Sequence, residues 1–273
     1  MAAGWQTRGE TGAAALGGCA LLLNVRNGRT LVAEGSETAC RWVAAPGSTM
    51  KPLSLLALLE TDKLHAAEEY YCPGRLVLDG HTLDCSHPYI GEPMNASRAI
   101  AYSCNCAVTH FAQRFETGEL GRYLVRGGFC SPTRLLAGWE ATGHVDMAAA
   151  GSACQLQALG ESGVGVTPLE LLVAYRRLAL RATEARVAPI LEGLEGAVEF
   201  GTAQKARADR VRVAGKTGSV MTASGAYAAW FAGFAPSRAP EVVAVVLVQG
   251  RSGGADAAPI AGQLLNGYFA GRA

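Results

Sequence analysis

Pro46-Gly47-Ser48-Thr49-Met50-Lys51-Pro52 is the stretch from which the fold can be read outward. Ser48 and Lys51 stand at i and i+3, at the head of an apolar, helix-like run: Leu53, Leu55, Leu56, Leu58 and Leu59. Those positions share a helix face, so the Lys51 amine comes within reach of the Ser48 hydroxyl. The start of a helix also offers free backbone N–H groups, which stabilise developing negative charge. Pro46 and Gly47 mark the turn leading in, and Pro52 falls in the first turn, where a missing N–H costs little. A lysine accepts a proton only when neutral, and burial or a second cation lowers its pKa. A second cation is therefore worth looking for. Alone, S-x-x-K is a common spacing and Ser48 would pass for an ordinary N-cap. Its meaning depends on what else the chain carries.

The chain has 273 residues with a net charge of +1, and 49% of them are hydrophobic. That suits one large domain, or one domain with an inserted lobe. There is no basic run and no basic bias, so no nucleic-acid partner is expected. The cysteines at 19, 40, 72, 85, 104, 106, 130 and 154 contain no pair of C-x-x-C units, so no metal and no cofactor is expected. No apolar run reaches the length of a membrane span. The apolar stretch from Gly12 to Val25 is short and has no basic leader. Leu16-Gly17-Gly18-Cys19 only faintly resembles a lipoprotein cleavage box, and the segment reads better as a first strand. An export segment, if one is needed, is not expected within this sequence.

In order, residues 1–17 read as a linker, small and rich in Gly and Ala. Cys19–Val25 reads as a buried strand, Asn27-Gly28 as a hairpin signal and Thr30–Ala33 as its return. The Ser48 helix runs to about Leu64. Tyr70-Tyr71-Cys72 and Asp84-Cys85 flank a hairpin with Asp79-Gly80 near its tip. Cys72 and Cys85 can pair across it in an oxidising compartment; otherwise they are two partly buried thiols. Residues 95–115 read as helix, break, helix, with Ser103 and Asn105 in the break. Cys104 and Cys106 read as packing residues, badly placed to bond to each other. Pro168 opens a helix to Leu180. Strands return with Val211–Ser219, Tyr227–Phe234 and the apolar run Val242–Val248, and a helix from Pro259 closes the chain. Strands thus come from both ends and helices from the middle. The expected fold is α+β, an α/β sandwich: a five-stranded, mainly antiparallel sheet flanked by helices, with an all-helical lobe inserted after its second strand.

Three motifs now stand in order: Ser48-x-x-Lys51, Ser103-x-Asn105 and Lys216-Thr217-Gly218, on a helix start, an interhelical break and a strand. Each is weak alone, since Ser103 and Asn105 would also serve as helix caps and Lys216–Gly218 as a plain strand end. Together they resemble the motif set of penicillin-recognising serine acyltransferases. Gly163-Val-Gly-Val-Thr-Pro-Leu-Glu-Leu171, Gly201-Thr202-Ala203 and Ala229-Trp-Phe-Ala-Gly-Phe-Ala-Pro236 are similar to segments of penicillin-binding protein transpeptidase domains. The resemblance covers about residues 18–270. It implies a D,D-peptidase/β-lactamase-like fold in one catalytic domain, 18–273. The sheet lobe would be about 18–62 and 185–273, and the helical lobe about 63–184.

The resemblance also implies roles. Ser48 would be the nucleophile and Lys51 the base. Lys216 would be the second cation, lowering the Lys51 pKa and attracting a substrate carboxylate. Thr217, Gly218, Ser219 and Trp230 would line the substrate, and the Ser48 and Ser219 backbone N–H groups would form the oxyanion hole. Ser103 would relay a proton and Asn105 would hold Lys51 and a substrate amide. The implied partners are peptidoglycan stem peptides ending in D-Ala-D-Ala, and β-lactam antibiotics, in an extracytoplasmic setting. The alternatives are a β-lactamase, which needs a deacylating base such as Glu161, and a β-lactam sensor that is acylated without turnover.

Overall fold

A nearly unbroken apolar strand needs a packed layer on both faces, and Val242–Val248 has two. The computed structural model describes residues 11–222, 225 and 227–270. In chain order they form β1 (Cys19–Asn24), β2 (Thr30–Glu34), α1 (Ser36–Arg41) and α2 (Lys51–Glu60). A small hairpin follows, β3 (Val77–Leu78) with β4 (His81–Thr82), then α3 (Ala96–Ala101), α4 (Asn105–Ala112) and α5 (Glu119–Arg126). Next come β5 (His144–Val145), α6 (Gly151–Leu159), β6 (Val164–Gly165), α7 (Pro168–Leu180) and α8 (Ala188–Glu199). The last elements are β7 (Ala214–Met221), β8 (Tyr227–Ala235), β9 (Val242–Gly250) and α9 (Ala258–Ala270).

The main sheet has five strands in the order β2-β1-β9-β8-β7, each antiparallel to its neighbours. This is the expected α+β architecture, with the helix-rich section between β2 and β7 in sequence. Successive side chains of a strand point to opposite faces. Val243, Val245 and Leu247 of β9 accordingly join the core beneath α2 and α7, with Leu21 and Leu23 of β1 and Trp230 and Phe234 of β8. Val242, Ala244, Val246 and Val248 face the second core, with Leu22, Phe231 and Ile260, Leu264 and Leu265 of α9. Each fully buried Val or Leu contributes roughly 1.5–3 kcal/mol.

α2 is the hub. Every residue from Lys51 to Leu59 is buried, as befits a helix that is apolar nearly all round. α7, placed in the helical lobe by the sequence, instead packs on β1, β8 and β9. It opens with a capping box: the Thr167 hydroxyl accepts from the Glu170 N–H, and the Glu170 carboxylate accepts from the Thr167 N–H. Glu170 also accepts the Gly143 and Ser131 N–H groups, so this buried carboxylate gathers the loops around α7.

Other differences are local. Residues 11–17 do not hang free: the Glu34 carboxylate accepts from the Thr11 N–H and hydroxyl and from the Ala14 N–H. Residues 1–10 lie outside the described residues. β7 begins at Ala214 rather than Val211 and runs on to Met221. The expected Ser224-Gly225 turn lies only partly within the described residues.

Candidate active site

Ser48 sits on a single 3-10 turn, Gly47–Thr49, that runs through Met50 into α2 at Lys51. The S-x-x-K spacing thus spans the entry to the helix rather than a full turn within it. Ser48 is partly exposed between buried neighbours Gly47 and Thr49. The turn is held on several sides. Gly47 N–H donates to Gly160 O, the Thr49 hydroxyl to Pro46 O, and the Tyr175 hydroxyl of α7 to Thr49 O. Just upstream, Ala44 pairs with Val166 and the Trp230 indole N–H donates to Ala45 O at 3.0 Å. Ser54, one turn into α2, donates to Ala158 O.

The break between α3 and α4 delivers the second motif. Lys51 Nζ donates to Asn105 Oδ1 at 2.6 Å, to Ser103 O at 2.7 Å and to Ser103 Oγ at 3.2 Å. Ser103 takes φ +57°, the left-handed region, to turn both its carbonyl and its hydroxyl toward Lys51. Asn105 opens α4, and its Nδ2 donates to Leu83 O and Asp84 O at the end of the small hairpin. Because those partners are acceptors, Oδ1 must be the atom that faces Lys51.

β7 is the edge strand and carries Lys216, Thr217, Gly218 and Ser219 past the Ser48 turn. The contact is close enough to require glycine at 218, where a Cβ would fall 2.5 Å from Pro46 O. A Cβ on Gly47 would lie 3.3 Å from Ser219 N, so the Ser219 backbone lies against the turn that carries Ser48. Ser219 Oγ accepts from Gly253 N–H at 2.9 Å, which leaves its hydroxyl hydrogen free to donate. Lys216 is fully buried and donates to Thr202 Oγ1 and Thr217 O.

Electrostatically, burial is decisive. It lowers the Lys51 pKa to about 8, against the opposing pull of the Cys104 and Cys85 thiols and of the Glu161 carboxyl. Lys216 is pushed well below its ordinary value, first by burial and second by the charge of Lys51. The expected cation coupling is therefore present, but it is felt at Lys216, and burial does the work at Lys51. Burial raises the half-buried Glu161 carboxyl, and the Lys51 charge opposes that rise.

Lys51, Ser103 and Asn105 thus meet in one hydrogen-bonded cluster, Lys216 is close enough to feel the Lys51 charge, and Gly218 and Ser219 lie against the turn that carries Ser48. Two expected roles change. Trp230 is wholly buried and braces the loop before Ser48; it does not line the substrate. The Thr217 hydroxyl lies 3.0 Å from Thr202 Oγ1 and 3.4 Å from Thr202 O, a side chain occupied within the wall rather than presented to a carboxylate. Thr202 itself was not singled out by sequence; its only signal was its place in Gly201-Thr202-Ala203. Cys72 and Cys85 do meet, but unbonded, with sulfurs 3.6 Å apart. Cys104 and Cys106 are not mere packing: their sulfurs lie 3.7 and 3.5 Å from Cys85 Sγ.

Residues 18–266 match the family model of the penicillin binding protein transpeptidase domain. The chain belongs to the penicillin-binding protein transpeptidase family. Among curated proteins, this transpeptidase domain is similar to stage V sporulation protein D of Bacillus subtilis (strain 168), with 26% identity over 265 residues. The match takes in 81% of this chain and 41% of that protein, so the domain spans well under half of its relative's length. Its fold is shared with the transpeptidase domain of Burkholderia pseudomallei penicillin-binding protein 3, at TM-score 0.83, 21% identity and 93% and 88% coverage of the two chains. It is shared too with Pseudomonas aeruginosa penicillin-binding protein 2, at TM-score 0.82, 20% identity and 94% and 76% coverage. The general assignment is thereby a penicillin-binding protein transpeptidase domain. Among the described residues, no helix of the transpeptidase domain is long and apolar enough to cross a membrane.

Proposed function

We propose that the domain is a serine D,D-transpeptidase or D,D-carboxypeptidase that acts on D-Ala-D-Ala stem peptides through an acyl-enzyme on Ser48. The observation that carries this reading is the buried Lys51 amine, one 3-10 turn from Ser48 and gripped by Ser103 and Asn105. Neutral Lys51 takes the Ser48 proton as Oγ attacks the penultimate D-Ala carbonyl, or the β-lactam carbonyl. The tetrahedral oxyanion is received by the Ser48 and Ser219 N–H groups. Removing one such donor typically costs about 3–4 kcal/mol. Ser103 Oγ, 3.2 Å from Lys51 Nζ, returns the proton to the departing amine. The substrate's terminal carboxylate meets the Ser219 hydroxyl and the positive field of Lys216, whose charged form a carboxylate would favour. An acceptor amine then completes transpeptidation, or water completes hydrolysis. These substrates imply work outside the cytoplasm.

A second reading, a β-lactamase, is favoured by one observation: Glu161 is close enough for its charge to act on Lys51. A deacylating base would shorten the life of the acyl-enzyme. A sensor acylated without turnover would instead hold it indefinitely.

The test is intact mass over time with a fluorescent penicillin, on wild type and Ser48→Ala. A lasting adduct on wild type only supports the peptidase, and release of D-Ala from a stem-peptide analogue completes the case. An adduct that disappears while antibiotic is consumed moves the assignment to a β-lactamase. No adduct on folded protein overturns Ser48 acylation.

A further inference from the structure

Beside the cleft, and used by none of the steps above, four ligand atoms from three separate segments converge: the sulfurs of Cys72, Cys85 and Cys104 and an imidazole nitrogen of His87, all within 4.8 Å of one another. Cys72 lies in the irregular segment before the small hairpin, Cys85 and His87 follow β4, and Cys104 caps α4. We propose that these four residues form a structural Zn2+ site that staples the β3–β4 loop to the Ser103–Asn105 break.

The spacings fit. A tetrahedral zinc with bonds near 2.3 Å to sulfur implies ligand-to-ligand edges of about 3.8 Å. Three of the six separations are 3.6 Å for Cys72–Cys85, 3.7 Å for Cys85–Cys104 and 3.7 Å for Cys72 Sγ to His87 Nε2, and the other three lie within 4.8 Å. A disulfide needs sulfurs about 2.05 Å apart and takes two partners, not four. Cys106 Sγ, 3.5 Å from Cys85, stands next to the set as a further thiol.

The surroundings fit as well. Metal-bound histidines usually donate their other ring N–H to a carbonyl, which fixes the tautomer. His87 Nδ1 lies 2.9 Å from Pro88 O, which can only accept, so Nδ1 carries the hydrogen and Nε2 turns its lone pair to the cluster. Backbone N–H groups of Gly74 and Ala107 point at the Cys72 and Cys104 sulfurs, as donors that stabilise thiolates do. Three thiolates and an imidazole suit Zn2+ above the hard cations, and any thiol still protonated would release its proton on binding. The spacing rule that set metal aside fails here because the ligands are scattered along the chain and meet only through the fold.

The site would reach the chemistry through Asn105. Its amide bonds Leu83 O and Asp84 O, immediately before Cys85, and its carbonyl oxygen holds Lys51. Fixing Cys85 to Cys104 therefore fixes Asn105 from both ends, and the four residues act as positioning residues.

The test is elemental analysis of protein purified without a metal-chelating resin. About one zinc per chain is expected, and cobalt in its place should give the thiolate charge-transfer and intense visible bands of a tetrahedral site. His87→Ala, at the rim and least threatening to the fold, should lose zinc to a chelator at least about tenfold more readily. Cys130→Ser, remote from the cluster, should retain it. Removing zinc should also slow acylation by a fluorescent penicillin. The zinc count stands whether or not Ser48 is acylated, so the two readings fail separately. Metal-free protein with Cys72, Cys85 and Cys104 as free thiols would overturn the proposal. So would a mass lower by two hydrogens with Cys72 and Cys85 joined, or iron in place of zinc.

Discussion

The Lys51 nitrogen lies 2.6 Å from the Asn105 carbonyl oxygen, and the other end of that amide is tied to Leu83 O and Asp84 O. The lysine is thus held by a neutral acceptor, which leaves its pKa low. Acylation by penicillin should rise with pH through about 8, the value to which burial lowers Lys51. Asn105→Asp would put a carboxylate there, favour the ammonium form and move that rise to higher pH. Each tenfold gain in the amine's affinity for its proton leaves about tenfold less neutral lysine at pH 7. A pH–rate profile of fluorescent-penicillin acylation reads both.

Glu161 pulls the other way. Its charge raises the Lys51 pKa, so Glu161→Gln should move the acylation profile to lower pH. If Glu161 also activates water, the variant's acyl-enzyme should outlive the wild type's. Following adduct mass after removing free antibiotic separates the two effects.

Gly218 has no room for a side chain, with Pro46 O 2.5 Å from where a Cβ would stand. Gly218→Ala should push β7 off the Ser48 turn. Overpacking of this kind costs about 1–3 kcal/mol, visible as a lower denaturant midpoint, and acylation should fall as the Ser219 amide moves away.

Thr202 accepts from Lys216 Nζ at 3.1 Å and lies 3.0 Å from the Thr217 hydroxyl. Thr202→Val removes both partners and keeps the shape. A hydrogen bond to a charged group is worth about 1.5–3 kcal/mol, so the second-order acylation rate should drop by about 10–100-fold. The loss should be greater for substrates that bear a carboxylate than for an ester analogue.

Much of this was legible in the linear chain because it is locally encoded. The runs Cys19–Val25 and Val242–Val248 announce central strands by composition, and the three motifs stand on a helix start, an interhelical break and a strand. What escaped depends on contacts between distant segments. The Trp230 indole reads identically as cleft wall or buried brace until Ala45 O is found beside it. The helix of Pro168–Leu180 is plain, but only packing assigns it to the sheet. Thr202 has no motif beyond Gly-Thr-Ala, and Cys72, Cys85, His87 and Cys104 have no spacing rule at all.

Ser103 holds a backbone shape that glycine adopts freely and a side-chain residue adopts at a cost of about 1–2 kcal/mol. That cost sets stability against function at a single position. Ser103→Gly should give a protein more resistant to denaturant and far slower to acylate. Ser103→Gly thus separates the two properties, relieving the backbone while removing the hydroxyl that lies beside Lys51.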